Sequence, residues 1–243
     1  MPAKLSLIRA RGRFLNVLFA ASALFAVGAG RAMAIASPAD PAVLPIGESQ
    51  AGNYLSALVA GADRDTPAAA VYSREALRAD PRNPDLVERA FAAALSDGDV
   101  ASGFTLADRL VARDPNNSLG RLALAVRAIA EGQFVAARAQ LGAGEAGKAH
   151  DVTTTLLTAW SYAGAFDLRH ALETLDRVRD PSVAVFRDYH AGLIADILGD
   201  APEAQRRLKL AYDADKNTLR LADAYARFLA RHNDVEGAKK VYA

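Results

Sequence analysis

The octapeptide "ALRADPRN" (Ala76–Asn83) returns 34 residues later as "LVARDPNN" (Leu110–Asn117), and the recurrence of this Asp-Pro-x-Asn ending decides the fold. Proline pushes the residue before it out of the α region, so a helix running through Leu77 or Val111 ends near Asp80 or Asp114. Asn83 and Asn117 then stand where a side-chain oxygen caps the next helix. Pro84 occupies a first helical position, where its missing N–H costs nothing. The same few residues therefore close one helix and open another.

Windows of that length, starting near residues 50, 84, 118, 185 and 219, align without gaps, and one near 150 fits less well. Each holds an apolar helical pattern, a short break, a second helical pattern and a stop. The breaks carry Gly98-Asp99, Gly132-Gln133-Phe134, Gly164-Ala165-Phe166, Gly199-Asp200 and Asn233-Asp234. Gly or Asn there can take the left-handed conformation that ends a helix. Ala69, Ala137, Ala204 and Ala238 recur shortly after the breaks, small enough to let antiparallel helices approach closely. Hydrophobic residues make up 51% of the chain, many of them Ala, and aromatics only 7%, a mixture that suits helices rather than a β-branched sheet.

On these residues the chain resembles a tetratricopeptide repeat protein over about residues 50–243. Ala57, Ala125, Gly192 and Ala226 match the small residue eighth in that family's first helix; Ala76, Ala211, Pro81 and Pro115 match later positions. The resemblance implies an all-α fold, a right-handed superhelical solenoid of about six helix-turn-helix repeats, the last incomplete. Four departures stand out. Window two has Phe91 and Gly103 at positions eight and twenty, and window three ends in "LGAGEAGKAHD". Window four carries two extra residues before Ala171, and window five has Lys216 in place of proline. Helix boundaries are therefore hardest to place over 142–175. The last window stops at Ala243, about six residues short of the family spacing, so the expectation is a chain that continues or a partner that covers this end.

Residues 1–34 read as a secretory signal peptide. Lys4, Arg9, Arg11 and Arg13 precede the apolar run "FLNVLFAASALFAVGAG" (Phe14–Gly30), and Ala32-Met33-Ala34 gives an A-x-A cleavage site; Ala34-Ile35-Ala36 is the alternative. Residues 35–49 read as a Pro-rich linker. The expected location is periplasmic or otherwise exported, with no stable membrane span after cleavage; an uncleaved inner-membrane anchor is the alternative. Removing residues 1–34 takes five basic residues and no acid, leaving 24 basic against 28 acidic, a balance of −4. Nucleic acid is therefore not an expected partner. The chain has no Cys, which excludes disulfides, thiolate metal sites and Cys nucleophiles.

The remaining motifs point away from catalysis. "GAGEAGK" (Gly142–Lys148) approximates a phosphate loop, but a helical pattern precedes it and Ala149 replaces the Ser/Thr, so it reads as an inter-repeat loop. His150, His170, His190 and His232 lack metal-ligand spacing. Asp167 near His170 and Asp188 near His190 have no nucleophile beside them. No cofactor is expected. By the resemblance, first-helix positions line a concave groove. That face here includes Tyr54, Leu58, Glu88, Leu122, Val126, Thr154, Thr158, Tyr162, Tyr189, Leu193, Asp196, Arg227 and Arg231. The alternative for Tyr54, Tyr162 and Tyr189 is that they fill gaps between repeats. The implied function is a non-enzymatic scaffold that binds an extended peptide or protein partner in the envelope. Two further readings are the repeat half of a larger exported enzyme or assembly factor, and an inner-membrane scaffold.

Overall fold

The computed structural model describes residues 49–142 and 152–243; the signal peptide, most of the linker and the loop through Lys148 lie outside the described residues. Twelve α-helices and no strand form among them: α1 (Gln50–Ala62), α2 (Thr66–Ala79), α3 (Pro84–Asp97), α4 (Val100–Arg113), α5 (Ser118–Ala130), α6 (Phe134–Gly142), α7 (Val152–Gly164), α8 (Leu168–Asp176), α9 (Ala184–Leu198), α10 (Ala201–Ala214), α11 (Leu219–Arg231) and α12 (Val235–Tyr242). A 3₁₀ turn, Pro181–Val183, precedes α9. Consecutive helices pair as hairpins.

One backbone device recurs in every hairpin. Arg64, Gly98, Gly132, Phe166, Gly199 and Asn233 hold positive φ, at intervals of 34, 34, 34, 33 and 34 residues. Around each, two hydrogen bonds close the first helix. At Gly98, for example, its N–H reaches the Leu95 carbonyl (3.2 Å) and the Asp99 N–H reaches the Ala94 carbonyl (2.9 Å). That pairing is the Schellman motif, and it satisfies carbonyls the helix end would otherwise orphan. In five hairpins the next residue is Asp, whose carboxylate accepts from a backbone N–H of the second helix: Asp65 from Ala68, Asp99 from Ser102, Asp167 from His170, Asp200 from Glu203 and Asp234 from Gly237. Each such cap contributes about 1 kcal/mol. Gln133 takes this place in the third hairpin.

This register corrects the reading of the fourth window. Gly164 is not its left-handed residue; Phe166 is, 34 residues after Gly132. The two apparent extra residues vanish, and Ala171 falls five after Phe166, as Ala137 falls five after Gly132. What distinguishes this repeat is a nine-residue α8 and the 3₁₀ turn after it. Gly164 serves packing instead, because a Cβ there would lie 2.2 Å from the Phe134 ring.

The small residues after each break are buried: Ala69, Ala137, Ala171, Ala204 and Ala238. Gly103 holds the equivalent place, where a Cβ would meet Leu95 Cδ2 at 2.4 Å. Gly192 lies close to α10 as well, with Leu208 Cγ at 2.7 Å and the Leu208 backbone nitrogen at 3.0 Å from a Cβ. The Asp-Pro-x-Asn stops behave as their chemistry predicts. Asn83 Oδ1 accepts from the Asp85 and Leu86 N–H groups, and Asn117 Oδ1 from that of Gly120. Where Lys216 replaces proline, Asp215 still accepts from the Asn217 N–H and the Thr218 hydroxyl.

The chain divides into two compact units, with the boundary at 124/125 within α5. The first unit's core joins Leu77, Leu86, Val87, Phe91, Leu110 and Leu124, with Tyr54 packed against it. In the second unit, clusters around Trp160, Leu175 and Ile194 and around Leu208, Phe228 and Leu229 run through α7 to α12.

Candidate functional site

In the first unit, α1, α2 and α3 enclose an open cleft of about 370 Å³. Tyr54 and Leu58, both expected on the first-helix face, line it, with Gly61 one turn on. Its floor is made of small side chains, among them Ala69, Ala76 and Ala93. Glu88, also expected there, is exposed and does not line it. Its neighbour Arg89 does, with its guanidinium 5.0 Å from the centroid of the Tyr54 ring. Cation–π contact of this kind attracts the guanidinium to the ring. Sequence reading misses Arg89 because it follows Glu88 by one residue, and one residue turns a helix by about 100°.

In the second unit the expected residues separate into three groups. Tyr162 is half-buried between second helices: Arg138 of α6 lies 4.3 Å from its ring centroid and His170 of α8 stacks on it at 5.2 Å. It fills a gap between repeats, and Arg138 also donates to the Ser161 carbonyl at 3.1 Å. Thr158 contributes its carbonyl, which accepts from the Ser161 hydroxyl at 2.7 Å. Thr154 is partly buried on the same helix.

Tyr189 belongs to a second group that sequence reading did not assemble. Trp160 Nε1–H donates to His190 Nδ1 at 3.0 Å, linking α7 to α9, and the Tyr189 ring meets that of His190 edge-on at 5.2 Å. Burial, reinforced by the positive charge of Arg220, pushes His190 down to about 4. Burial likewise raises the Tyr189 hydroxyl, with Arg220 opposing and Asp223 adding to the shift. The indole–imidazole bond joins residues 30 apart in sequence, and no local signal announces it.

The third group is charged and already paired. Arg231 binds Asp196, bringing two expected groove residues together, and His232 Nε2 lies 3.8 Å from the same carboxylate. Arg227 pairs with Asp223 at 2.9 Å, and the Tyr242 hydroxyl donates to that carboxylate at 2.9 Å. Leu193 packs into two core clusters rather than standing free for a partner.

The Asp–His neighbours show no catalytic geometry. Asp167 caps α8 and holds the His170 ring at 2.5 Å. Asp188 turns away from His190 into an ionic cluster with Arg187 (2.8 Å) and Arg207 (2.7 Å). Arg207, nearly buried, also binds Asp176 at 2.6 Å and Glu203 at 2.8 Å, tying α8, α9 and α10 together. Among the described residues no three His, Asp or Glu side chains gather as a metal-ligand set. Nor is any helix among them long and apolar enough to cross a membrane.

No protein-family profile and no curated protein matches the chain. Solved structures do. A tetratricopeptide repeat protein from Parabacteroides merdae superposes with a TM-score of 0.68 at 12% identity, covering 80% of this chain and 78% of that one. A MamA RS-1 ArsTM double mutant gives 0.59 at 15% identity, covering 72% and 98%. TTC0263, a thermophilic TPR protein in Thermus thermophilus, gives 0.54 at 18% identity, covering 75% and 100%. With its 34-residue hairpins and these neighbours, the chain has the tetratricopeptide-repeat fold.

Proposed function

We propose that this protein is a non-enzymatic scaffold of the bacterial envelope that binds an extended segment of a protein partner along the first-helix faces of its repeats. The observation that carries the reading is the cleft enclosed by α1, α2 and α3, where the first helices of two successive hairpins flank a second helix, lined with aromatic, small apolar, hydroxyl and cationic side chains. Its size lies within the range of about 300–1,000 Å³ of ligand clefts. Tyr and Arg are the side chains that most often anchor protein interfaces.

The test is site-specific photo-crosslinking in cells. A crosslinker at Leu58 is expected to trap a discrete partner that the same group at the exposed second-helix residue Arg78 does not. Identical adducts from both positions would refute groove binding. Export is the second part of the proposal. The mature protein recovered from the envelope fraction is expected to begin at Ile35 or Ser37, after cleavage at Ala34 or Ala36, and an intact Met1 would overturn it.

A further inference from the structure

We infer that the α1–α3 cleft selects a partner segment in which an apolar residue stands next to Asp or Glu, the apolar side chain entering the cleft and the carboxylate seating on Arg89. The inference rests on the partner-binding reading above and specifies its chemistry.

Three features of the cleft lead there. Its lining is mostly small and apolar, with Ala69, Ala76 and Ala93 beside Leu58 and Leu86, and the hydroxyls of Thr66, Ser73 and Ser96 are neutral. A charged side chain driven into it would lose its water for neutral hydroxyls at best, whereas an apolar one would gain from leaving water. Second, among the described residues Arg89 is the only ionisable side chain lining the cleft apart from the Tyr54 phenol. No carboxylate among them pairs with it, and it lies over the Tyr54 ring. Third, the Arg89 guanidinium carries five N–H donors, and no hydrogen bond to another described side chain uses them. Those donors form the fork that matches a carboxylate with two parallel hydrogen bonds.

The two cations expected on the first-helix face differ in this respect. Arg227 and Arg231 are each held by an intramolecular carboxylate, so an incoming acid would have to displace Asp223 or Asp196. Arg89 requires no such exchange.

The probe is a peptide, Gly-Ser-Gly-Leu-Glu-Gly-Ser-Gly, carrying fluorescein on its N-terminal amine and amidated at its C-terminus, titrated against the full chain by fluorescence polarisation. Its controls replace Leu-Glu with Leu-Gln or Ser-Glu. The Leu-Glu peptide is expected to bind at least about tenfold more tightly than either control, the difference made by one charge-assisted pair or one buried side chain. Arg89→Gln, at an exposed position that leaves the core intact, is expected to abolish the preference for Glu over Gln while keeping that for Leu over Ser. Arg89→Lys is expected to restore it in part. Equal affinity for Leu-Glu and Leu-Gln, or a preference that survives Arg89→Gln, would overturn the inference. So would self-association of the chain that Leu58→Lys removes, since the occupant would then be a second copy. Photo-crosslinking from Leu58 that persists in Arg89→Gln, alongside failure of the peptide test, would remove the acidic specificity and leave groove binding standing. Loss of both would remove the two together.

Discussion

Phe166 and Gly199 hold the same left-handed backbone conformation at φ 61° and 89°, but only glycine holds it without strain. Phe166 is 53% exposed, so its ring gains little from burial in return. Phe166→Gly is therefore expected to leave stability unchanged or raise it by up to about 1 kcal/mol, the relief of strain exceeding the extra chain entropy of glycine. Gly199→Ala is expected to cost about 1–2 kcal/mol although a Cβ there meets no atom within 4 Å, because the penalty is purely conformational. Chemical denaturation of both variants checks the opposite signs. His190 supplies a second prediction at this scale. Its folded value of about 4 lies below the ordinary value of about 6.5, so the unfolded chain takes up the proton first as pH falls. Stability is thus unaffected above about pH 6.5 and declines from there towards pH 4, by at most about 3 kcal/mol. His190→Gln is expected to flatten that limb of the stability–pH curve. An identical limb in the variant would show that His190 is not the group responsible.

At the scale of elements, α8, α9 and α10 meet over the Arg207 cluster. Burial alone would raise the Asp188 carboxyl, but hydrogen bonds and charge from Arg187 and Arg207 outweigh it and hold it below the ordinary carboxylate range. Hydrogen bonds from Arg206, and then Arg207, likewise lower Glu203 against its burial. Depressed carboxylates stabilise the fold above their unfolded values, near pH 4, and the contribution is lost as pH drops through the lower folded ones. Arg207→Met is expected to cost about 3 kcal/mol at pH 7, the low end for breaking a buried pair, because Arg187 still holds Asp188. The deficit relative to the unmodified protein is expected to shrink below about pH 4, where protonation removes what the substitution had already removed. A deficit independent of pH would assign the loss to packing alone.

For the whole molecule, repeat architecture makes stability a matter of nearest neighbours. α9 and α10 share the core around Leu208, and α9 also belongs to the core around Ile194. α12 is eight residues long and rests on α11 through Ala238, with a 3.4 Å hydrogen bond from the Tyr212 hydroxyl to the Val241 carbonyl. A helix that short does not hold itself in water. Amide hydrogen exchange is expected to be faster over residues 235–243 than over 184–214. Equal protection in the monomer would contradict the nearest-neighbour account.

The 34-residue period, the helix starts near 50, 84, 118 and 219, the Asn83 and Asn117 caps and the buried small residues were all legible in the sequence. The helix starts and caps rest on interactions reaching at most five residues along the chain, where residue type dictates geometry, and the small residues are legible because they recur at the period. Phe166 shows the limit of that rule: its type argues against the left-handed region, and the helices on either side impose it. What only the tertiary structure decided joins distant residues. Trp160 meets His190, Arg207 meets Asp176, and Arg89 rather than Glu88 turns onto Tyr54. These pairings depend on how far each helix is rotated about its axis, and that rotation is fixed by the packing of whole faces, which no short stretch of sequence contains.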